Sequence, residues 1–164
     1  MKNRIKPGPG QESVWDYPRP PKLEAVRKHL RVWWKDELIA DSNQTYRVLE
    51  TSHPPVYYFP TADIKMDLLE QDDGGRSFCE WKGIASYWHI ITPKGNSLKA
   101  GWSYEAPSAR FADIAGYIAF YPSRVSKCTV DDELVQAQAG DFYGGWITKN
   151  IVGPFKGEPG TWGW

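Results

Sequence analysis

Two adjacent prolines, Pro54 and Pro55, are the feature that most constrains how this chain folds. Each fixes its φ angle at roughly −65°, donates no backbone N–H, and pushes the residue before it toward extended conformations. They interrupt the segment from Glu50 to Pro60, which reads Glu-Thr-Ser-His-Pro-Pro-Val-Tyr-Tyr-Phe-Pro. The sequence therefore predicts an extended segment before the prolines, a stiff corner at them, and a strand through Tyr57 and Tyr58 after them.

Strand-like patterns cover most of the remaining chain. The polar turn at residues 35–37, between the apolar segments 29–34 and 38–41, predicts a β-hairpin. Further strands are predicted at residues 46–51, 56–59, 64–70, 78–91, 98–104, 117–121 and 125–130, with a loop at 71–76. One short helix is predicted at residues 108–115, capped by Ser108 and ended by Gly116.

A length of 164 residues predicts one domain with one core. Residues 1–22 are rich in proline and predict an extended arm held to the body by Val14, Trp15 and Tyr17, with a disordered tail as the alternative. Residues 23–139 form the predicted β domain. Residues 140–164 predict a glycine-rich, aromatic segment packed on that domain, because Trp162 and Trp164 are costly to leave in water, with a low-complexity tail as the alternative. The expected fold is mainly β, single-domain and antiparallel, with one short helix.

The charge balance and the cysteine pattern narrow the function classes. Twenty basic and twenty acidic residues cancel, so a nucleic-acid partner is not expected. No long apolar run predicts a membrane span, and residues 1–10 lack the apolar core of a secretory signal. Cys79 and Cys128 form no Cys-x-x-Cys pair, so neither a metal nor a cofactor is expected. A soluble cytoplasmic protein follows, with a homodimer left open.

Four motifs together resemble one family. They are Glu50-Thr51-Ser52-His53-Pro54-Pro55-Val56-Tyr57-Tyr58, Cys79-Glu80-Trp81-Lys82-Gly83, Trp102-Ser103-Tyr104 and Ala119-Phe120-Tyr121-Pro122. The sequence resembles the domain of unknown function numbered 427 over roughly Arg31 to Val130. Residues on either side of that segment look like additions to the family core.

The resemblance implies a β-tent-like fold, shared with the thalidomide-binding domain of cereblon and the B-type methionine sulfoxide reductases. Those relatives hold zinc through paired Cys-x-x-Cys motifs, which this chain lacks, and they bind small ligands in aromatic-lined pockets. The family is sometimes labelled nucleotidyltransferase-like, a chemistry that needs carboxylates grouped around two metal ions. Asp72-Asp73 and Asp131-Asp132 are adjacent pairs whose side chains should point apart, so they do not support that label.

The polar candidates for a site surround the two prolines. Glu50 is a charge on an otherwise apolar strand face, which marks either a binding site or a buried ion pair. Lys82 is its predicted partner, with Ser52 or a tyrosine as second choice. His53 could act as a general base or could simply bond the backbone in a turn. Cys79 could be a nucleophile or a buried structural cysteine.

The aromatic residues of the motifs predict a pocket wall. Such rings can hold a flat ring by stacking or a cation through their π faces, and the alternative is that they form the core of a small sandwich. The predicted ligand-binding residues are Glu50, Ser52, His53, Tyr58, Cys79, Trp81, Lys82, Tyr87, Trp102 and Tyr104.

Three functions remain open from the sequence. The first is a small-molecule-binding protein with an aromatic-lined pocket whose polar contacts are Glu50 and Lys82. The second is a small-metabolite enzyme that uses Glu50, His53, Cys79 and Lys82, with no catalytic residue assigned. The third is a protein-interaction module that presents the proline-rich arm as a peptide ligand.

Overall fold

The computed structural model describes residues 4–79, 82–140, 142–158 and 160–161, with side chains for all of these except 75–77 and 79. The strands are β1 Glu12–Ser13, β2 Lys22–Val26, β3 Leu30–Trp34, β4 Glu37–Ser42, β5 Thr45–Leu49, β6 Val56–Phe59, β7 Leu69–Cys79, β8 Gly83–Thr92, β9 Gly95–Tyr104, β10 Ile118–Phe120, β11 Lys127–Val130, β12 Glu133–Leu134, β13 Gln136–Ala137, β14 Trp146–Ile147 and β15 Ile151–Val152. Short 3₁₀ helices span Val14–Asp16, Thr61–Asp63, Met66–Leu68, Ala109–Ile114 and Pro122–Arg124.

Two antiparallel sheets organise the fold. The larger has seven strands in the order β2-β5-β6-β10-β9-β8-β7, and the smaller has four in the order β12-β11-β3-β4. Two short pairs complete the topology, β1 with β15 in parallel and β13 with β14 antiparallel. The prediction of a mainly β, single-domain protein with antiparallel sheets is confirmed. Within the described residues, no helix is long and apolar enough to cross a membrane.

The side chains of β6 divide between the two faces of the large sheet. Tyr57 and Phe59 point into the main core, where they meet residues of the small sheet such as Val32 and Ile39. Tyr58 points the opposite way, into a second cluster. This division follows from the two-residue period of a strand. It leaves one aromatic face of the large sheet outside the main core.

The local predictions around tight turns are confirmed. The first hairpin joins β3 to β4 through Lys35 and Asp36, which both have positive φ angles of 48° and 69°. Such a pair is typical of a two-residue hairpin turn. The corner at Pro54 and Pro55 separates β5 from β6, and the two strands pair antiparallel.

The predictions for residues 64–91 are wrong in three places. Residues 66–68 form a 3₁₀ turn where a strand was predicted, and the predicted loop at 71–76 lies inside β7 as a register irregularity. The predicted long strand at 78–91 is the end of β7 together with nearly all of β8, and the two strands pair with each other. The return strand begins at Gly83, whose φ of +110° suits glycine. The sequence hid this reversal because residues 79–82 alternate as in a strand and no Asn-Gly or Asp-Gly pair marks a turn.

The predicted helix forms only a 3₁₀ segment with a kink at Phe111. The side chain of Ser108 makes no cap hydrogen bond there. Phe111 and Ile114 are its buried residues, whereas Ala109, Ala112 and Ala115 are exposed. An i, i+3 pair is what a helix of three residues per turn places on one side.

The arm and the C-terminal segment pack against each other and against the large sheet. Val14 and Tyr17 are buried with Leu49 and Ile151. The Trp15 Nε1 atom donates a hydrogen bond to the Pro154 carbonyl at 2.9 Å. Trp162 and Trp164, predicted to pack on the body, lie outside the described residues.

An ion-pair network also secures the arm. The Arg47 guanidinium lies 3.1 Å from Glu12 of the arm and 2.8 Å from Glu24 of β2, and the Tyr17 hydroxyl donates to Glu12. Burial raises the pKa of the Tyr17 phenol far above its usual range, and the bond to Glu12 raises it further. The phenol therefore stays a neutral donor.

Candidate functional site

A cavity of about 380 Å³ lies on the outer face of the large sheet, over the second cluster of aromatic residues. Seven of the ten predicted site residues line it: Glu50, His53, Tyr58, Lys82, Tyr87, Trp102 and Tyr104. The structure thus brings together residues from the corner after β5, from β6, from the turn before β8, and from β8 and β9.

The other three predicted residues are not part of the described lining. Ser52 is fully buried away from the cavity, its φ is +73°, and its N–H donates to the Val14 carbonyl at 3.0 Å. The side chain of Cys79 and the whole of Trp81 lie outside the described part of the chain. The predicted roles of Cys79 and Trp81 therefore stay predictions.

Strand register builds the aromatic wall. Tyr58 and Trp102 both lie opposite Ala119 on neighbouring strands, and Tyr87 lies opposite Trp102. Because alanine is small, the two larger rings can meet above it, and Trp102 Nε1 lies 3.3 Å from the Tyr58 hydroxyl, to which it donates. The ring of Trp102 also packs 4.4 Å from that of Tyr121, centroid to centroid. These contacts fix the orientation of the wall.

His53 is held in one tautomer by Gln138. The Gln138 Nε2 atom donates to the Lys156 carbonyl at 2.7 Å, and its Oε1 accepts from the Gly145 N–H at 3.2 Å. The two backbone groups fix the amide orientation, so the second hydrogen of Nε2 faces His53 Nδ1 at 3.2 Å. Nδ1 is therefore an acceptor, and the ring proton of neutral His53 is on Nε2.

The surroundings of His53 oppose its protonation. Burial lowers the pKa of His53 below its ordinary value of 6.5; Glu50 acts in the opposite direction, and the positive charges of Lys82, Lys156 and Arg19 lower the pKa further. A proton on Nδ1 would also face the amide hydrogens of Gln138. The site therefore holds a neutral imidazole that donates from Nε2.

We expect this neutral imidazole to make stability depend on pH. The unfolded chain takes up a proton near pH 6.5, whereas folded His53 does so only at lower pH, so stability falls as the pH drops below about 6.5. Each unit by which the pKa is lowered corresponds to about 1.4 kcal/mol. Denaturation midpoints measured across this range should show the loss in the native protein.

His53→Asn is the matched control, because asparagine keeps an acceptor for Gln138 but does not titrate. The difference in stability between the native protein and this variant should change across the same pH range. A pH-independent difference would contradict the lowered pKa.

Glu50 and Lys82 do not pair with each other, contrary to the prediction. Among the described residues, neither side chain forms an ion pair, and Glu50 has no hydrogen bond to Ser52 or to a tyrosine of the lining. Lys82 Nζ lies 6.0 Å from the centroid of the Tyr104 ring. Both residues are only half-buried, and residual water contact explains how they tolerate the lack of a partner.

Glu50→Gln is expected to leave the free energy of unfolding unchanged or to raise it slightly. Removing a carboxylate that has no ion-pair partner relieves a desolvation cost, whereas breaking a buried pair would cost about 3–5 kcal/mol. Urea denaturation of the two proteins tests this. A clear destabilisation would mean that Glu50 is structural.

Family membership follows from a direct comparison. A family model described as a domain of unknown function, DUF427, matches residues 22–131. The chain belongs to the DUF427 family. No curated protein matches the chain.

The DUF427 segment supplies most of the cavity but not all of it. The lining residues that the sequence did not predict within this segment are Val48, Pro54, Val56, Ala85 and Tyr121. The residues beyond it, Gln138, Phe142, Tyr143 and Gly144, form a further wall. One side of the cavity therefore comes from outside the family core.

Glycines allow this further wall to approach the aromatic one. A Cβ atom on Gly144 would lie 2.2 Å from the Trp102 ring, and one on Gly145 would lie 2.5 Å from Gln138 Oε1. The sequence Gly144-Gly145-Trp146 was the available signal, since paired glycines beside an aromatic residue often mark a close backbone approach.

His89 and Cys128 have structural surroundings rather than a place in the cavity. His89 Nε2 lies 3.0 Å from Asp72, and its Nδ1 accepts from the Lys99 N–H at 2.9 Å, so both ring nitrogens are used. Burial raises the pKa of Cys128 far above its usual range, which leaves an inert thiol. No group of three or more His, Cys, Asp or Glu residues within the described chain is placed to hold a metal ion.

Proposed function

We propose that this DUF427 protein is a cytoplasmic small-molecule-binding module whose ligand occupies the cavity over Trp102. The observation that carries the proposal is the convergence of Glu50, His53 and Lys82 on one cavity walled by aromatic rings. A volume of about 380 Å³ is within the range of small-ligand sites, which is roughly 300–1,000 Å³. Apolar walls with a few convergent polar groups are typical of such sites.

The polar groups of the cavity favour binding over a purely structural role. A structural ion pair would join Glu50 to Lys82, yet the two charges stand apart. Groups that face a cavity without mutual contact are placed to contact a third molecule.

The setting of His53 favours binding over catalysis. Its Nδ1 lone pair is engaged by Gln138, so the ring offers a hydrogen-bond donor from Nε2. A general base would need a free lone pair toward the proton it removes. We therefore prefer a binding module to the enzyme that uses His53 with Cys79 or Lys82.

Native mass spectrometry of the full chain, purified under non-denaturing conditions from its own cells, tests the proposal. The native protein should carry a bound small molecule. Val56→Trp should release it, because Val56 is a half-buried lining residue at which a tryptophan narrows the cavity. Leu98→Trp is the matched control, since Leu98 is 67% exposed and lies outside the lining.

Two outcomes would overturn the proposal. One is a bound molecule that persists in Val56→Trp, which would place it elsewhere. The other is a native protein that carries no molecule and whose melting temperature is raised by no compound of a broad metabolite library.

A further inference from the structure

We infer that the ligand is an aromatic zwitterion, with its ammonium group at Glu50, its carboxylate at Lys82, and its ring against the wall that contains Trp102. A free aromatic amino acid has this chemistry. The inference rests on the proposed binding function and names the class of ligand that the cavity takes.

The lining carries one charge of each sign. Glu50 and Lys82 are its charged residues among the described ones, and His53 is held neutral by burial and by Gln138. Both charges are close enough to His53 to influence its protonation, in opposite directions. Both therefore line the same small space, and no ion pair joins them.

A zwitterionic ligand pairs with Glu50 and Lys82 at the same time. A cation alone would be attracted by Glu50 but repelled by Lys82, and an anion alone would meet the reverse. A neutral ligand would further desolvate both half-buried charges without pairing either, which is unfavourable. The zwitterion is the one charge pattern that compensates both.

The rings specify the apolar part of the ligand. Tyr58, Trp102 and Tyr104 are buried. The Tyr58 ring meets that of Trp102 edge-to-face at 6.2 Å and that of Tyr104 at a tilt at 6.3 Å, between ring centroids. Such a wall favours an aromatic partner, because ring contacts contribute beyond the area that they bury. The apolar end of the ligand is thus a ring.

Isothermal titration calorimetry of the full chain with three matched probes tests the inference. L-tryptophan carries both charges, tryptamine lacks the carboxylate, and indole-3-propionate lacks the ammonium. We expect L-tryptophan to bind at least roughly tenfold more tightly than either of the others. This is the loss of affinity expected when one hydrogen bond between charged groups is removed.

Two variants test which charged group of the ligand each residue binds. Lys82→Met keeps the apolar stem and should weaken L-tryptophan and indole-3-propionate by roughly tenfold or more. Tryptamine should bind at least as tightly as before, because the substitution removes a charge that repels its ammonium group. Glu50→Gln should weaken L-tryptophan and tryptamine by a similar factor, whereas indole-3-propionate should bind at least as tightly as before, because its carboxylate is no longer repelled. Melting temperatures identify any variant that fails to fold.

Equal affinity for the three probes, tighter binding of a singly charged probe, or binding of none would overturn the inference. None of these outcomes affects the proposed function, which depends on whether a co-purifying molecule is lost in Val56→Trp. The class of ligand and the existence of a ligand are thus tested separately.

Discussion

Trp146→Ala is expected to lower the free energy of unfolding by about 3–5 kcal/mol, as for other buried tryptophans. Trp146 is fully buried, and its ring packs 5.1 Å from Tyr57 and 5.9 Å from Phe59, between centroids. Its Nε1 donates to the Phe120 carbonyl at 3.1 Å. The substitution leaves a cavity in the main core and a buried carbonyl without its donor.

Urea denaturation at neutral pH measures the loss. Phe142→Ala is the control within the same segment, because the Phe142 side chain is 89% exposed and its removal should change stability by less than about 0.5 kcal/mol. A loss below about 1 kcal/mol for Trp146→Ala would mean that the segment after residue 140 is not an integral part of the core.

Arg47→Met is expected to cost about 2 kcal/mol and to loosen the arm. The Arg47 side chain is 15% exposed and bridges Glu12 and Glu24, which are 35% and 38% exposed. Because the carboxylates keep much of their water, the cost falls below the roughly 3–5 kcal/mol of a fully buried pair. Methionine preserves most of the apolar stem of the side chain. The loss of stability therefore measures the contribution of the guanidinium charge.

Chymotryptic cleavage after Trp15 measures the release of the arm and should become faster in Arg47→Met. Arg31→Met provides the comparison, since Arg31 pairs with the exposed carboxylates of Asp41 and Asp132 and such pairs contribute about 1 kcal/mol or less. Unchanged cleavage in Arg47→Met would show that the apolar contacts alone hold the arm.

Features that depend on neighbouring residues could be predicted from the sequence. The hairpin turn at Lys35 and Asp36 and the corner at Pro54 and Pro55 are set by local backbone preferences, and both were predicted correctly. The placement of Glu50 on the cavity face followed from the alternation of one strand. These signals are local, so one sequence is enough to detect them.

Features that depend on distant residues could not be predicted. The hydrogen bond between His53 and Gln138 joins positions 85 residues apart, and no local pattern marks it. The wall after residue 137 was missed for the same reason, although its paired glycines were visible. The reversal between β7 and β8 was missed because Cys79-Glu80-Trp81-Lys82 continues the alternation of a strand and contains no Asn-Gly or Asp-Gly pair.

The parallel pairing of β1 with β15 implies that this part of the domain assembles late during synthesis. Glu12 lies opposite Ile151, so the arm has no strand partner until almost the whole described chain has left the ribosome. Trp146 reaches the core at the same late stage, and contacts of such long sequence separation slow folding. We therefore expect the two flanking segments to dock last, so that Gln138, Phe142, Tyr143 and Gly144 complete the cavity wall only at the end of folding.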